Sequence, residues 1–303
     1  MMGKQKGSPL VSVVMCCYNA EKHVAESIRS ILGQTYPHFE FIIWNDGSDD
    51  HTEDIIKSFT DERIRYFFHE NTGIGEAANL ACSHAVGEYI ARIDSDDIAE
   101  PERIAKEVEY MENHPKCVLL SSAVTYIDEA GHSLARSYPY TWNYVLKRCL
   151  TQMYNPISHP ACIFRSSAFR KVAYPHIHYL EDAVMFRRLS KLGEIHNLSE
   201  PLLKYRISAN SLSHSLGHYA SLLLHAGKIV ADSDSNEVKQ NEALFNAIYS
   251  YAKKNSQLQD GGFYNDHIFR LSQQMSFLPS RWVSGFIILI HNILGVFKYG
   301  LFV

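Results

Sequence analysis

Residues 87–97 read Gly87-Glu88-Tyr89-Ile90-Ala91-Arg92-Ile93-Asp94-Ser95-Asp96-Asp97, an apolar run that ends in three carboxylates within four positions. Tyr89 to Ile93 has the look of a buried strand, and Pro101-Glu102 opens a helix shortly after it. Massed carboxylates repel one another, and a hard divalent cation with oxygen ligands turns that repulsion into binding energy. The plainer alternative is a turn followed by a helix cap, since Asp favours both.

Working outward, short apolar runs bounded by turn residues alternate with segments of helical periodicity over the first 125 residues. The pattern predicts parallel strands joined by crossover helices, an α/β fold. Strands are expected at 10–15, 39–44, 64–68, 89–93 and 117–122. Between them, Val24, Ile28, Ile31 and Leu32 share one helical face behind an Asn19 cap, and Ile104, Val108 and Met111 share another.

Ligands of such sheets bind beyond the carboxyl ends of the strands, so the loops there carry the chemistry. Three are distinctive: Cys17-Tyr18-Asn19-Ala20, Asn45-Asp46-Gly47-Ser48-Asp49-Asp50, and the Asp94–Asp97 cluster. Each could be an ordinary turn; together they put two acidic patches on one edge of one sheet. Gly73-Ile74-Gly75-Glu76-Ala77-Ala78 also fits the G-x-G-x-x-A form of a dinucleotide fingerprint, which would make the protein an NAD-dependent oxidoreductase. Against that reading, the motif follows the third strand rather than the first, and the acidic residue downstream belongs to a cluster.

Length and composition bound the problem. The 303 residues suffice for one large domain or a domain with an appendage, and the formal net charge of −4 gives no reason to expect nucleic acid as a partner. Six cysteines show neither a C-x-x-C pair nor zinc spacing and read as buried thiols of a cytoplasmic protein. The stretch Met1 to Pro9 is polar, and the apolar run after it is too short for a secretory signal or a membrane span.

Taken in order, Val11 to Met15 with Tyr18-Asn19, Ser27 to Tyr36 (S-I-R-S-I-L-G-Q-T-Y), Asn45-Asp46-Gly47-Ser48, the 87–97 stretch with Pro101 and Arg103, Leu180-Glu181-Asp182 with Arg187-Arg188-Leu189, and Tyr205-Arg206 with Ser211-Leu212-Ser213 resemble a family 2 glycosyltransferase of bacterial surface-glycan type. Each motif is weak alone, whereas the ordered set over residues 9–215 is specific. The resemblance implies a GT-A fold, a mostly parallel sheet flanked by helices. It also implies a hexosyltransferase activity that inverts the anomeric carbon, a UDP-sugar donor and Mn²⁺ or Mg²⁺. The acceptor would be a glycan or a lipid-linked sugar. By the same resemblance Asp46 would accept from the uracil N–H, with Tyr18, Asn19 and Asn45 flanking the nucleoside. Asp94 and Ser95 would meet the ribose or donor sugar, Asp96 would bind the metal, and Asp97 would assist it. Asp182 would be the base, with Glu181 as the alternative, and Arg206 would face the diphosphate. The departure is Asn45, where many members carry a second acid.

These roles follow the chemistry. Displacing a nucleoside diphosphate builds negative charge on the leaving group, which a divalent cation offsets, while the acceptor hydroxyl must lose a proton to a carboxylate. The Glu181-Asp182 pair could equally be a helix N-terminus, where acids are favoured. Between Ser133 and Ile177 lies the expected acceptor side, with a further strand expected at 161–164 after His159-Pro160, and with Tyr138, Tyr140, Trp142 and Tyr154 as candidates for stacking on a sugar ring or for plain packing. His176-Ile177-His178 lacks a third ligand at usable spacing and reads as loop.

The expected organisation is a catalytic domain over 1–215, its nucleotide and metal half about 9–125 and its acceptor half about 126–215, and a helical appendage over 216–303. The apolar stretch 282–303, with Ser284, His291 and Lys298 in one stripe, suits a membrane surface, the catalytic domain or a homo-oligomer interface. A location at the inner face of the cell membrane follows from the first of these. A non-catalytic nucleotide-sugar or glycan-binding protein on the same fold is the rival function.

Overall fold

Residues 7–177, 179–207, 230–232, 239, 241–243 and 245–246 are described by the computed structural model of the chain. Strands and helices alternate through the first half: β1 (Val11–Cys17), α1 (Val24–Leu32), β2 (Phe39–Asp46), α2 (Thr52–Lys57), β3 (Ile64–His69), α3 (Ile74–Ser83) and β4 (Tyr89–Asp94). The short β5 (Ile98–Ala99), α4 (Arg103–Asn113), β6 (Cys117–Ile127) and β7 (Ser133–Arg136) follow. Then come α5 (Asn143–Thr151), a 3₁₀ turn (His159–Ala161), β8 (Ile163–Arg165), α6 (Ser166–Val172), α7 (Glu181–Ser190) and β9 (Glu194–Arg206).

One sheet runs in the order β3-β2-β1-β4-β8-β6-β9-β5, with β7 beside β6. β1 pairs in parallel with both β2 and β4, so the chain order reverses at β1 and opens a crevice at the carboxyl ends of these three strands. β8 is antiparallel to both of its neighbours, β4 and β6. It therefore brings the second half of the chain into the same sheet.

Period-two alternation sorts the core. Val11, Val13, Met15, Phe41, Ile43, Tyr89, Ala91 and Ile93 face α1, α2 and α4, whose Val24, Ile28, Ile31, Ile56, Ile104 and Met111 are buried against them. Val14, Ile42, Trp44 and Ile90 point the other way, onto Ala77, Ala78 and Ala81 of α3 and the apolar faces of α5, α6 and α7. Both faces of the central strands are covered, which is why β1 reads VSVVMCC with no polar alternation. Each fully buried Ile or Phe contributes roughly 1.5–3 kcal/mol relative to exposure.

The five strands expected in the first 125 residues form, each longer at its carboxyl end: β1 runs to Cys17, β2 to Asp46, β3 to His69, β4 to Asp94 and β6 to Ile127. Three expectations change. Asn19 does not cap α1, whose first turn begins at Val24 after His23; Asn19 instead adopts a left-handed φ of 50°. The strand expected at 161–164 starts only at Ile163, because the 3₁₀ turn containing Pro160 occupies 159–161. β9, the 13-residue partner of β6, gave no clear signal because Pro201 interrupts it; the structure absorbs the proline with a register shift opposite Ala123. Of the appendage expected over 216–303 only the short pieces named above are described, and 282–303 lies outside them. Val230, Ala231 and Phe245 pack on Met153, Ile177, Ala183 and Val184, and Asp232 pairs with Arg187 at 2.7 Å.

Gly87, just ahead of β4, is held by backbone: an added Cβ would lie 2.7 Å from both Leu10 O and Ser12 N. Gly87→Ala is therefore expected to destabilise the fold by about 1–3 kcal/mol, the usual cost of overpacking a filled site. Urea unfolding of the two proteins measures it, and an unchanged midpoint would show that β1 and β4 separate freely here.

Candidate active site

The loop after β1 and the loop after β2 lock together before any ligand is considered. Asn19 N donates to Ser48 Oγ (3.0 Å) and Asn19 Oδ1 accepts from Asp49 N (3.0 Å), which explains its left-handed backbone. Tyr18, beside it, is 54% exposed on the rim. Asn45 is buried, accepting from Ser48 N at 2.9 Å and donating to the Tyr66 hydroxyl at 3.1 Å. Here an amide does what a carboxylate could not, since it both donates and accepts.

Asp46, also buried, collects donors from the loop after β3: Thr72 N, Thr72 Oγ1 at 2.9 Å and Gly73 N at 3.0 Å. Gly73 has φ 84°, and a Cβ on Gly75 would meet Pro175 O at 3.1 Å and Ile177 O at 3.2 Å. The Gly73-to-Ala78 fingerprint is thus a packing motif: its first amide is bound to Asp46 and its second glycine admits a neighbouring backbone.

At the end of β4, Asp94 is oriented by Arg92, whose Nη2 donates to Asp94 Oδ1 at 3.0 Å. Ser27 of α1 holds the following turn, its hydroxyl lying 2.9 Å from Ser95 O and 2.6 Å from Asp97 O. Burial, and then the neighbouring Asp94, push the Asp96 carboxyl up to about 6. Asp97 is driven well above the usual carboxylate range by burial and by both neighbouring acids. Its Oδ1 accepts from Arg206 N at 2.8 Å, and its Oδ2 has no partner among the described residues.

Arg206 departs from expectation. Its guanidinium faces inward, donating to Asp96 O (2.8 Å), Asp128 O (3.0 Å), Glu129 O (2.9 Å) and Glu26 Oε2 (2.7 Å). With every nitrogen engaged by protein, Arg206 braces the acidic turn rather than meeting a diphosphate.

Across the crevice, α7 begins at Glu181-Asp182 after Leu180, which takes φ 62°. Such a conformation costs a leucine roughly 1–2 kcal/mol. Burial, then Asp182 and Asp94, raise Glu181 to about 8, and burial, then Asp94, raise Asp182 to about 6. Asp94 thereby acts on Asp96, Asp97, Glu181 and Asp182 alike, so both acidic groups share one electrostatic field. Asn155 Nδ2 donates to Asp182 Oδ2 at 2.8 Å. Among the stacking candidates Trp142 is 67% exposed and Tyr138 is also exposed, whereas Tyr140 is half-buried. His176 pairs with Glu76 at 2.7 Å, and its companion 178 is not among the described residues.

Among the described residues no three His, Cys, Asp or Glu side chains converge on one point. Magnesium and manganese do not require that; they are held by one or two carboxylates and completed by substrate phosphates and water. The half-buried Asp96, with its raised proton affinity and no cationic side chain bonded to it among the described residues, fits such an ion. Sequence reasoning missed Thr72, Asn155 and Arg92, although an arginine inside the apolar run Tyr89–Ile93 was a visible signal.

The sheet and its acid-lined edge define a GT-A fold, and solved proteins share it. A structure of Staphylococcus aureus TarS residues 1–349 with UDP-GlcNAc aligns at TM-score 0.59, 22% identity, over 81% of this chain and 74% of that one. A Pyrobaculum calidifontis mannosyltransferase with GDP-Man and Mn²⁺ aligns at TM-score 0.55, 15% identity, over 91% and 82%. In sequence, an uncharacterized glycosyltransferase of Haemophilus influenzae is 35% identical over 69% of each chain. A putative teichuronic acid biosynthesis glycosyltransferase, TuaG of Bacillus subtilis, is 31% identical over 68% of this chain and 82% of its own. Residues 12–176 match glycosyl transferase family 2, and the chain belongs to that family. It is a glycosyltransferase.

Asp46 provides a discriminating measurement. Asp46→Ala is expected to lower the unfolding free energy by about 2–3 kcal/mol with no nucleotide present, because it leaves the amides of Thr72 and Gly73 without their charged acceptor. If stability stays unchanged while nucleotide binding is lost, the carboxylate serves the ligand and not the loop.

Proposed function

We propose that this protein is an inverting, metal-dependent glycosyltransferase that moves a sugar from a UDP-sugar onto a glycan or lipid-linked acceptor in polysaccharide biosynthesis. The observation that carries the proposal is the shared field of two acidic groups at one sheet edge, one at the end of β4 and one at the start of α7. TarS with UDP-GlcNAc and the mannosyltransferase with Mn²⁺ support the donor class and the metal, and TuaG supports the biosynthetic setting.

In this reading Tyr18 and the Asn19–Asp49 lock flank the nucleoside, with Asn45 and Asp46 shaping the floor from behind. Asp94 and Ser95 would face the ribose or donor sugar, and Asp96 would hold the ion, with Asp97 behind it. A bound Mg²⁺ or Mn²⁺ would supply Lewis-acid stabilisation of the leaving diphosphate. Asp182 takes the proton of the acceptor hydroxyl as its oxygen bonds to the anomeric carbon and the bond to the diphosphate oxygen breaks. Attack from the side opposite the leaving group inverts that carbon. Between the two acids Asp182 is the better base: it accepts from Asn155 Nδ2 and from the Ala183 amide, and donated hydrogen bonds favour the ionised form.

The rival, a binder without catalysis, is disfavoured because both the cation-type acid Asp96 and the half-buried base-type acid Asp182 are present. Among the described residues no helix is long and apolar enough to cross a membrane. A peripheral membrane contact or an oligomer interface through 282–303 remains part of the proposal.

Three measurements test it. UDP should raise the melting temperature only with Mn²⁺ or Mg²⁺ present, and Asp96→Ala should remove that shift; a shift independent of metal overturns the role of Asp96. Asp182→Asn should bind UDP normally yet lose at least about 10²-fold in kcat, the scale of one general base. Transfer should also fade on acidification: Asp182 works ionised, so kcat/KM is retained above its raised value of about 6 and declines below it. A flat pH profile from 5 to 8 would exclude Asp182 as the base.

A further inference from the structure

Asn155 lies in the segment between α5 and the 3₁₀ turn, where nothing in the sequence marks it. Its carbonyl Oδ1 accepts from Ile157 N at 3.1 Å, and its Nδ2 donates to Asp182 Oδ2 at 2.8 Å. A backbone N–H can only donate, so the Ile157 contact fixes which end of the amide is oxygen and turns the NH₂ toward Asp182. The other carboxylate oxygen, Oδ1, takes the Ala183 amide at 2.6 Å.

The segment that presents Asn155 is anchored. Asn197 of β9 donates to Pro156 O at 3.0 Å and to Tyr140 O at 2.9 Å, and Ser121 of β6 donates to Ser158 O at 3.1 Å. Asn155 is therefore mounted on the sheet and not on a free loop.

We propose that Asn155 is a positioning residue for the transfer reaction, aiming the Asp182 carboxylate at the acceptor hydroxyl and holding one of its lone pairs away from it. The proposal rests on Asp182 being the base. The neighbours of Asp182 are otherwise adverse or neutral: Glu181 adjoins it, Asp94 faces it from β4, and the Cys162 thiol lies within its field. The Arg92 guanidinium acts on Glu181, and its own hydrogen bond goes to Asp94. Among the described residues Asn155 is the side chain that donates to Asp182, and a donated hydrogen bond favours the ionised acid.

Two variants test this. Asn155→Leu keeps volume and removes the donor. Asn155→Asp keeps the shape and the Ile157 contact and sets a second carboxylate against Asp182. Both should retain the Mn²⁺-dependent thermal shift with UDP. In Asn155→Leu, kcat should fall about tenfold or more at pH 6.5, and the acid limb of kcat/KM should move to higher pH by about one unit. In Asn155→Asp the limb should move further, because like charges disfavour a second ionisation. A limb that stays in place in both variants, whatever the uniform loss of rate, overturns the proposal. That failure differs from failure of the underlying reading, in which Asp182→Asn stays active or the parent enzyme has no acid limb.

Discussion

A fully buried guanidinium holds the centre of this molecule. Arg92 sits on β4 with no exposure, donating to Val14 O, to Ile93 O, to Asp94 and to His159 Nε2 at 3.4 Å. Burying a charge is costly unless it is paired and bonded, and here each donor has a destination. His159, buried beside it, is held neutral by burial and by the arginine, and its Nε2 also faces the Tyr174 hydroxyl at 2.8 Å. Tyr174 is clamped in turn by Asn79 of α3, which meets both its N–H and its C=O. One chain of contacts therefore runs from the acid at the end of β4, through His159 and Tyr174, to α3.

A second buried arginine completes the frame. Arg103 of α4 donates to the carbonyl of Arg92 at 2.7 Å and pairs with Glu107, neither side chain having any exposure. Its position next to Pro101 looks in sequence like an ordinary helix start. In three dimensions it is what fastens α4 beneath β4. Much of the polar machinery here thus orients other polar groups: Arg206 the acidic turn, Asp46 the loop at 72–73, Asn155 the acid of α7.

The central strands β1, β2 and β4 were legible because each is covered on both faces, which writes an apolar run into the sequence. β9 was not, since half of it lies toward the sheet edge and Pro201 breaks its pattern. The acidic turn and the Glu181-Asp182 pair could be found by residue type. Their company could not: the link between positions 94 and 182 passes through antiparallel β8, a strand of three residues. Arg206 was assigned outward because sequence shows a charge and not the four oxygens that enclose it. Asn155 was invisible for the related reason that an asparagine between Tyr154 and Pro156 looks like a turn.

The inward-facing Arg206 has a consequence for how the protein comes to exist. Its bond to Glu26 spans 180 residues and its bond to Asp96 O spans 110, so the acidic turn reaches its final shape only when the last strand of the sheet is in place. Contacts of such long sequence separation form late, after local helices and hairpins. A chain emerging from the ribosome would carry its strands and acidic loops early, yet a finished acidic turn only at the end. Activity therefore reports the completed fold, and a molecule interrupted before residue 206 lacks the brace on which that turn depends.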